Sequence, residues 1–392
     1  MVGGGRIPIT REITEILDIP VIGRGRINDP ILAEKVVADG SVDLVGLARA
    51  IIADPDFPRK MQEGRRGDIR KCIGCDVGCA DRLFAQRKIR CAVNFDYGRE
   101  DEAWAGLMST KDPKDIAVIG GGPAGMESAR GLAYRGHNVT LYEKSDSLGG
   151  LVLTASAIPY LNTRDLRNAL PWQKQELDRA GVTVIMNKEI SPEDVETMNV
   201  DAVILATDSE PAYPAIPGVQ LPNVVHVYDY INKQGALGKK VVVIGGAEGA
   251  EAAVSIAREG HAVTVIEENL EAGAADYIYP IRRSELQEYL GDEKVEVLLN
   301  TSAVRMEDDG VAVTDSQGDE KTIEADTVVI AYARKSNGNA LVEALRKKGI
   351  PNYSIGDCNE LLWCQSRDIL PTKTKLSGSV EVKLLVINGR VK

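Results

Sequence analysis

With 392 residues, 44% of them hydrophobic and 27% charged, the chain is long enough for two or three domains that each bury a full core. A formal net charge of -11 argues against a nucleic-acid surface and a polybasic membrane patch, and three histidines are too few for a histidine-rich metal site. No stretch approaches the ~18 apolar residues of a membrane span. The opening MVGGGRIPIT has no apolar signal core, so the expected location is a reducing cytoplasm.

Residues 1 to about 65 read as two strand–helix units. Residues 19–22 (IPVI) form a short apolar strand that ends in Gly23-Arg24-Gly25-Arg26. Asp29 and Pro30 signal a helix start, and 31–37 carries helical periodicity. A second buried strand is expected at 42–47 (VDLVGL), with Arg49 just beyond it. Glycines at the C-terminal ends of consecutive parallel strands, with an arginine after the second, suit the phosphate-binding corner of a TIM-type barrel. Any βαβ pair also puts glycine after a strand, and Arg49 is equally compatible with a plain surface position.

Four of the six cysteines then follow together, Cys72, Cys75, Cys79 and Cys91, spaced C-x2-C-x3-C-x11-C. Three close thiolates and a fourth a short loop away suit the corners of a cubane iron–sulfur cluster. Zinc also takes four thiolates, but usually from two separated C-x2-C knuckles. Plain buried or disulfide cysteines are the bland alternative, opposed by the tight spacing and the reducing compartment.

A polar linker at 101–114 precedes DIAVIGGGPAGMESARGLAYRGHNVTLYEK, which reads as strand, glycine turn, helix, strand. Gly120, Gly122 and Gly125 give G-x-G-x-x-G, and Glu143 closes the second strand in position to accept from a ribose hydroxyl. Gly149-Gly150 form a further glycine pair. The pattern returns 124 residues later, where Gly249 repeats Gly125, His261 repeats His137 and Glu267 repeats Glu143. Such repetition predicts two nested nucleotide-binding domains. The first would hold FAD or an ADP moiety and the second NAD(H), since Glu267 would repel the 2′-phosphate of NADP. The second turn is one residue shorter between Ile244 and Gly249, so only Gly246 and Gly249 stay in register, which leaves weak or absent nicotinamide binding as an alternative. His137, His261 and His226 are read as structural, and 203–207 and 328–331 as returning strands.

The segment VIGRGRINDPILAEKVVADGSVDLVGLARAIIADPDF, joined to the cysteine run and both fingerprints, resembles the iron–sulfur flavoenzymes of the Old Yellow Enzyme-like, 2,4-dienoyl-CoA reductase and trimethylamine dehydrogenase family over roughly residues 5–358. The resemblance implies FMN at a barrel mouth, its phosphate on Gly25, Arg26, Gly46 and Arg49. It implies a [4Fe-4S] cluster on Cys72, Cys75, Cys79 and Cys91. FAD would lie on Gly120, Gly122, Gly125, Glu143, Gly150 and Asp357, and NAD(P)H on Gly246, Gly249 and Glu267. Electrons would run from NADH through FAD and the cluster to FMN, reducing an enoate or enoyl-type small-molecule substrate. The alternatives are an amine dehydrogenase or N-demethylase whose nucleotide domain holds only ADP, and a truncated, non-catalytic remnant.

The expected fold is α/β: the end of a TIM-type barrel at 1–66, an iron–sulfur segment at 67–100, an FAD domain at 115–235 and 325–358, an NAD(P)H domain at 236–324, and a divergent tail at 359–392. A closed barrel needs about 200 residues, and only its last two units are present. The rest is expected from a second chain, or the chain is a truncated product; no catalytic residue can be named. Two departures from the family stand out. Asp208 replaces a glycine, and the tail, with strand-like alternation in VEVKLLVI, replaces a helix. Cys358, before the tail, is read as a packed core thiol.

Overall fold

Helix α1 (Ile7–Ile16) opens the chain, with Pro8 in its first turn. No helix is assigned here from the sequence, where the first element is the strand at 19–22. Proline is well suited to a helix start. Strands β1 (Ile22–Gly23) and β2 (Leu44–Val45) pair in parallel, Ile22 opposite Leu44, and are shorter than the sequence suggests. Between them runs α2 (Pro30–Ala38), capped by Asp29, whose side chain accepts from the Ile31 amide, as expected from the Asp-Pro signal. Helices α3 (Arg49–Ala53) and α4 (Phe57–Gln62) follow. A small core of Ile7, Ile27, Ala33, Val36 and Val42 holds this barrel end together.

The computed structural model describes residues 3–98, 100, 109–161, 163–233, 235–268, 280–331, 334–337 and 339–358, together with strands at 372–375 and 381–384. Most of the linker expected at 101–114 and most of the tail from 359 lie outside the described residues. The tail strands, Thr372–Lys375 and Glu381–Leu384, pair antiparallel.

The remainder is a pair of parallel sheets. In chain order the strands are β3 (Asp115–Ile119), β4 (Asn138–Tyr142), β5 (Thr183–Ile185), β6 (Ala202–Leu205), β7 (Ser209–Pro211), β8 (Val224–His226), β9 (Lys240–Ile244), β10 (Ala262–Glu267) and β11 (Glu296–Leu299). A three-stranded antiparallel meander follows, β12 (Ser302–Glu307), β13 (Gly310–Thr314) and β14 (Glu320–Glu324), and then β15 (Thr327–Ile330), β16 (Arg334–Ser336) and β17 (Asn352–Ser354). The first sheet has the order β17-β6-β3-β4-β5 and the second β11-β10-β9-β15-β8. Their central strands, β3 and β6 in one and β9 and β15 in the other, are continuous apolar runs, as strands covered on both faces must be.

The sheets repeat one another, with β3, β4, β5 and β6 matching β9, β10, β11 and β15. Because β8 and β15 bond into the second sheet, that unit reaches beyond the expected limits of 236 and 324 on both sides. Periodicity marks both segments as strands without saying which sheet they join. The two passages of chain between the units pair antiparallel as β7 and β16, Ser209 opposite Ser336.

Candidate functional site

All four cysteines of the central motif line one hollow, together with Arg49 and Gly78. Cys79 sits in a single π-helical turn, Val77–Asp81, entered through a left-handed Asp76. The turn closes onto the segment carrying Cys91, where the Arg90 amide donates to the Gly78 carbonyl at 2.6 Å. A Cβ on Gly78 would lie 2.7 Å from the Arg90 carbonyl oxygen, so glycine permits this approach. The Gly74 amide donates to Cys72 Sγ at 3.3 Å. Burial pushes the thiols of Cys72, Cys79 and Cys91 up, Cys79 to about 11. Among the described residues no three His, Cys, Asp or Glu side chains converge as one ion would require. Four thiols lining one hollow are the donor chemistry of an iron–sulfur cluster, and the site fits that group in this respect.

The cluster segment is gripped from the barrel side. Asn28 donates to the Cys72 carbonyl at 3.0 Å, and Asp29 pairs with Lys71 at 2.9 Å and with Arg66 at 2.7 Å. Gly25 and Gly46 follow the ends of the two parallel strands, as the sequence predicts. The two arginines expected beside them each enter an ion pair. Arg49 pairs with Asp76 of the cysteine loop at 2.5 Å, and Arg26 with Asp165 at 2.7 Å.

At the first glycine turn, Gly122 caps α5 (Pro123–Tyr134). Gly120 has φ 110°, and a Cβ there would lie 2.7 Å from the Ala206 carbonyl carbon; one on Gly125 would run into the Gly120 carbonyl oxygen. Gly150 faces Gly122, where a Cβ would lie 3.1 Å from the Gly122 Cα. Two bare backbones opposed at a helix N-terminus make a cradle for a pyrophosphate. Glu143 is buried at the end of β4, accepting from the Gly121 amide at 2.7 Å and from Ser145. Gly356 packs against Ala124, which brings Asp357 to the start of the same helix. Asp208, where the resemblance leads one to expect glycine, adopts φ 70°, in the left-handed region that glycine favours.

The second turn is built differently. Aligned on its helix, α7 (Ala247–Arg258), Gly246 takes the capping place of Gly122. Gly245, out of register in the sequence, takes the structural place of Gly120: φ is 141°, and a Cβ would lie 2.7 Å from the Ala331 carbonyl carbon. The residue lost is thus the middle of the turn. Gly249 is less tightly packed than Gly125, since a Cβ there would come no closer than 3.3 Å to Ala331 Cβ and Val243 Cγ1. The Gly245 amide reaches the Ile266 carbonyl at only 3.5 Å, against 2.8 Å for Gly120 and Tyr142. Glu267 is buried at the end of β10. The three histidines behave as expected of structural groups: His137 Nδ1 accepts from the Lys114 amide, His261 Nδ1 meets the Gly238 carbonyl, and His226 is buried.

A family model described as pyridine nucleotide-disulphide oxidoreductase matches residues 114–356. The chain belongs to that family. A second model, the NADH:flavin oxidoreductase / NADH oxidase family, matches residues 8–68. The resemblance to the iron–sulfur flavoenzymes is therefore borne out. NADH oxidase of Thermoanaerobacter brockii is 37% identical over 360 residues, covering 90% of this chain and 54% of the relative. The structure of a 2-naphthoyl-CoA reductase complex superposes with a TM-score of 0.86 at 31% identity, covering 93% of this chain and 55% of that one. Histamine dehydrogenase from Rhizobium sp. 4-9 gives 0.80 at 25% identity, covering 93% and 56%. The chain spans about half the length of each. Among the described residues no helix is long and apolar enough to cross a membrane.

The structure adds a contact that the sequence analysis does not contain. The ring of Trp172, on α6 (Leu170–Arg179), meets two guanidinium groups, Arg70 at 4.5 Å and Arg130 at 5.5 Å from its centroid. Arg70 precedes Cys72 by two residues and Arg130 belongs to the helix that starts at the first glycine turn. Trp172 and Arg130 are buried and Arg70 half-buried, and desolvation strengthens such contacts. No local pattern announces a partner about a hundred residues away.

Proposed function

We propose that this chain is the electron-transfer part of an NADH-dependent iron–sulfur flavin oxidoreductase. The observation that carries the reading is the four-thiol hollow, fastened through Arg70, Trp172 and Arg130 to the helix that rises from the first glycine cradle. Cys72, Cys75, Cys79 and Cys91 hold a [4Fe-4S] cluster. Gly120, Gly122, Gly125, Gly150, Glu143 and Asp357 hold FAD, and Gly246, Gly249 and Glu267 receive NADH. FAD supplies the chemistry that joins the two sites, since it accepts a hydride as an electron pair and releases electrons singly. The protein's part is to hold the acceptor sites at fixed separation and to keep water from the thiols.

Gly25, Arg26, Gly46 and Arg49 border the place where a completed barrel would seat FMN, and the other strands come from a further polypeptide segment or a partner chain. Exposed Ile22 and Leu44, on paired strands, supply the apolar edge that such a segment would cover. The substrate is a small enoate or enoyl compound, and the cytoplasm the setting.

A second reading, an amine dehydrogenase or demethylase with only ADP in its nucleotide domain, draws support from the shortened turn at Gly245 and Gly246. The test is anaerobic purification, iron, sulfide and flavin analysis, and then NADH addition. Iron, FAD and rapid bleaching of the flavin by NADH are expected. Iron and flavin without bleaching would favour the amine reading, and their absence after reconstitution would reject both.

A further inference from the structure

The guanidinium of Arg26 lies where three parts of the chain meet. The residue follows β1 in the left-handed region, φ 55°, and its side chain is 11% exposed. One end pairs with Asp165 of the first nucleotide-binding unit at 2.7 Å. Its planar head covers the backbone between Cys72 and Cys75: a Cβ on Gly74 would lie 2.6 Å from Arg26 Cζ and 2.9 Å from Nε. Gly74 is itself left-handed, φ 68°, so glycine is needed here both for the turn and for the arginine. A guanidinium does not deprotonate in proteins, so this is a permanent positive charge on the cysteine loop.

Resting on the reading of the four cysteines as cluster ligands, we propose that Arg26, seated on Gly74, sets the reduction potential of the cluster. A site that takes up one electron gains one unit of negative charge, and a partly buried cation close to it favours the reduced state. Arg26 is thus a tuning residue that acts through the loop and not as a ligand, a different task from the phosphate contact implied by the resemblance. Asp165, paired with the guanidinium and 30% exposed, offsets part of that field. The potential is therefore balanced between a residue of the barrel end and one of the flavin unit.

The test is a redox titration, followed by electron paramagnetic resonance, of the anaerobically purified full chain and of Arg26→Gln, Gly74→Ala and Asp165→Asn. Iron and acid-labile sulfide are measured first; a wild-type chain that holds neither after reconstitution rejects the cluster reading and this inference with it. With the cluster present, Arg26→Gln lowers the midpoint potential, and Gly74→Ala lowers it too, because the new methyl displaces the guanidinium. Asp165→Asn raises it. Unchanged potentials, or Arg26→Gln and Asp165→Asn moving the same way, overturn the inference, since simple loosening of the loop has no reason to give opposite signs. If Gly74→Ala loses iron, the other two variants still decide.

Discussion

Asp29 ties the barrel end to the cluster segment through one carboxylate. Its Oδ1 caps α2 and its Oδ2 accepts from both Arg66 and Lys71. Partial burial would raise its pKa, but the hydrogen bonds from Arg66, Lys71 and the Ile31 amide outweigh that and hold it at about 2, below the usual 3.8. A depressed carboxylate contributes stability that is fully present above its unfolded pKa of 3.8 and is lost as pH falls through about 2. We expect about 1 kcal/mol from this, allowing for solvent screening. Denaturant unfolding of wild type and Asp29→Asn should differ by that amount at pH 7 and converge near pH 2. A constant difference across the range would show that the ion pairs are not its source.

At the scale of elements, the two glycine turns form a natural experiment in which one residue separates similar strand–turn–helix units. Inserting a glycine between Gly245 and Gly246 restores the length of the first turn and lets α7 settle closer to its strand, as α5 does. NADH affinity, measured by fluorescence titration, should rise about tenfold, equivalent to about 1.4 kcal/mol. A fall would mean that the short turn is the working form. The strand–turn–helix units were legible in the sequence because glycine spacing, apolar runs and the closing acids all agree locally. The cysteine motif was legible for the same reason. What could not be read depends on distant partners: the membership of β8 and β15 in the second sheet, the pairing of Asp165 with Arg26, and the contacts of Trp172 with two arginines. Gly245 shows a subtler limit, since sequence alignment fixes the turn from its helix whereas the backbone fixes it from its strand.

For the molecule as a whole, the barrel end carries an apolar surface out of proportion to its size. Ile9, Ile13, Ile16 and Leu17 of α1 and its end are 63%, 43%, 77% and 45% exposed, and Ile22 and Leu44 are more than half exposed. If the barrel is completed as proposed, these are the apolar side chains that the further polypeptide would cover. Replacing Ile9 and Ile13 with lysine should reduce self-association of the isolated chain in sedimentation experiments without changing its iron or flavin content. Loss of iron instead would mean that this face supports the cluster segment.

The β7–β16 ribbon gives the chain a seam. Pro211 and Arg334 are opposed across it, so the whole of the second sheet enters and leaves the first unit through one pair of neighbouring strands. A two-residue turn joining those ends would close the ribbon as an ordinary hairpin. The second unit is in this sense an insert, one that could be excised or exchanged by a single graft. A chain so shortened should keep iron and flavin, titrate as before with a chemical reductant, and no longer respond to NADH.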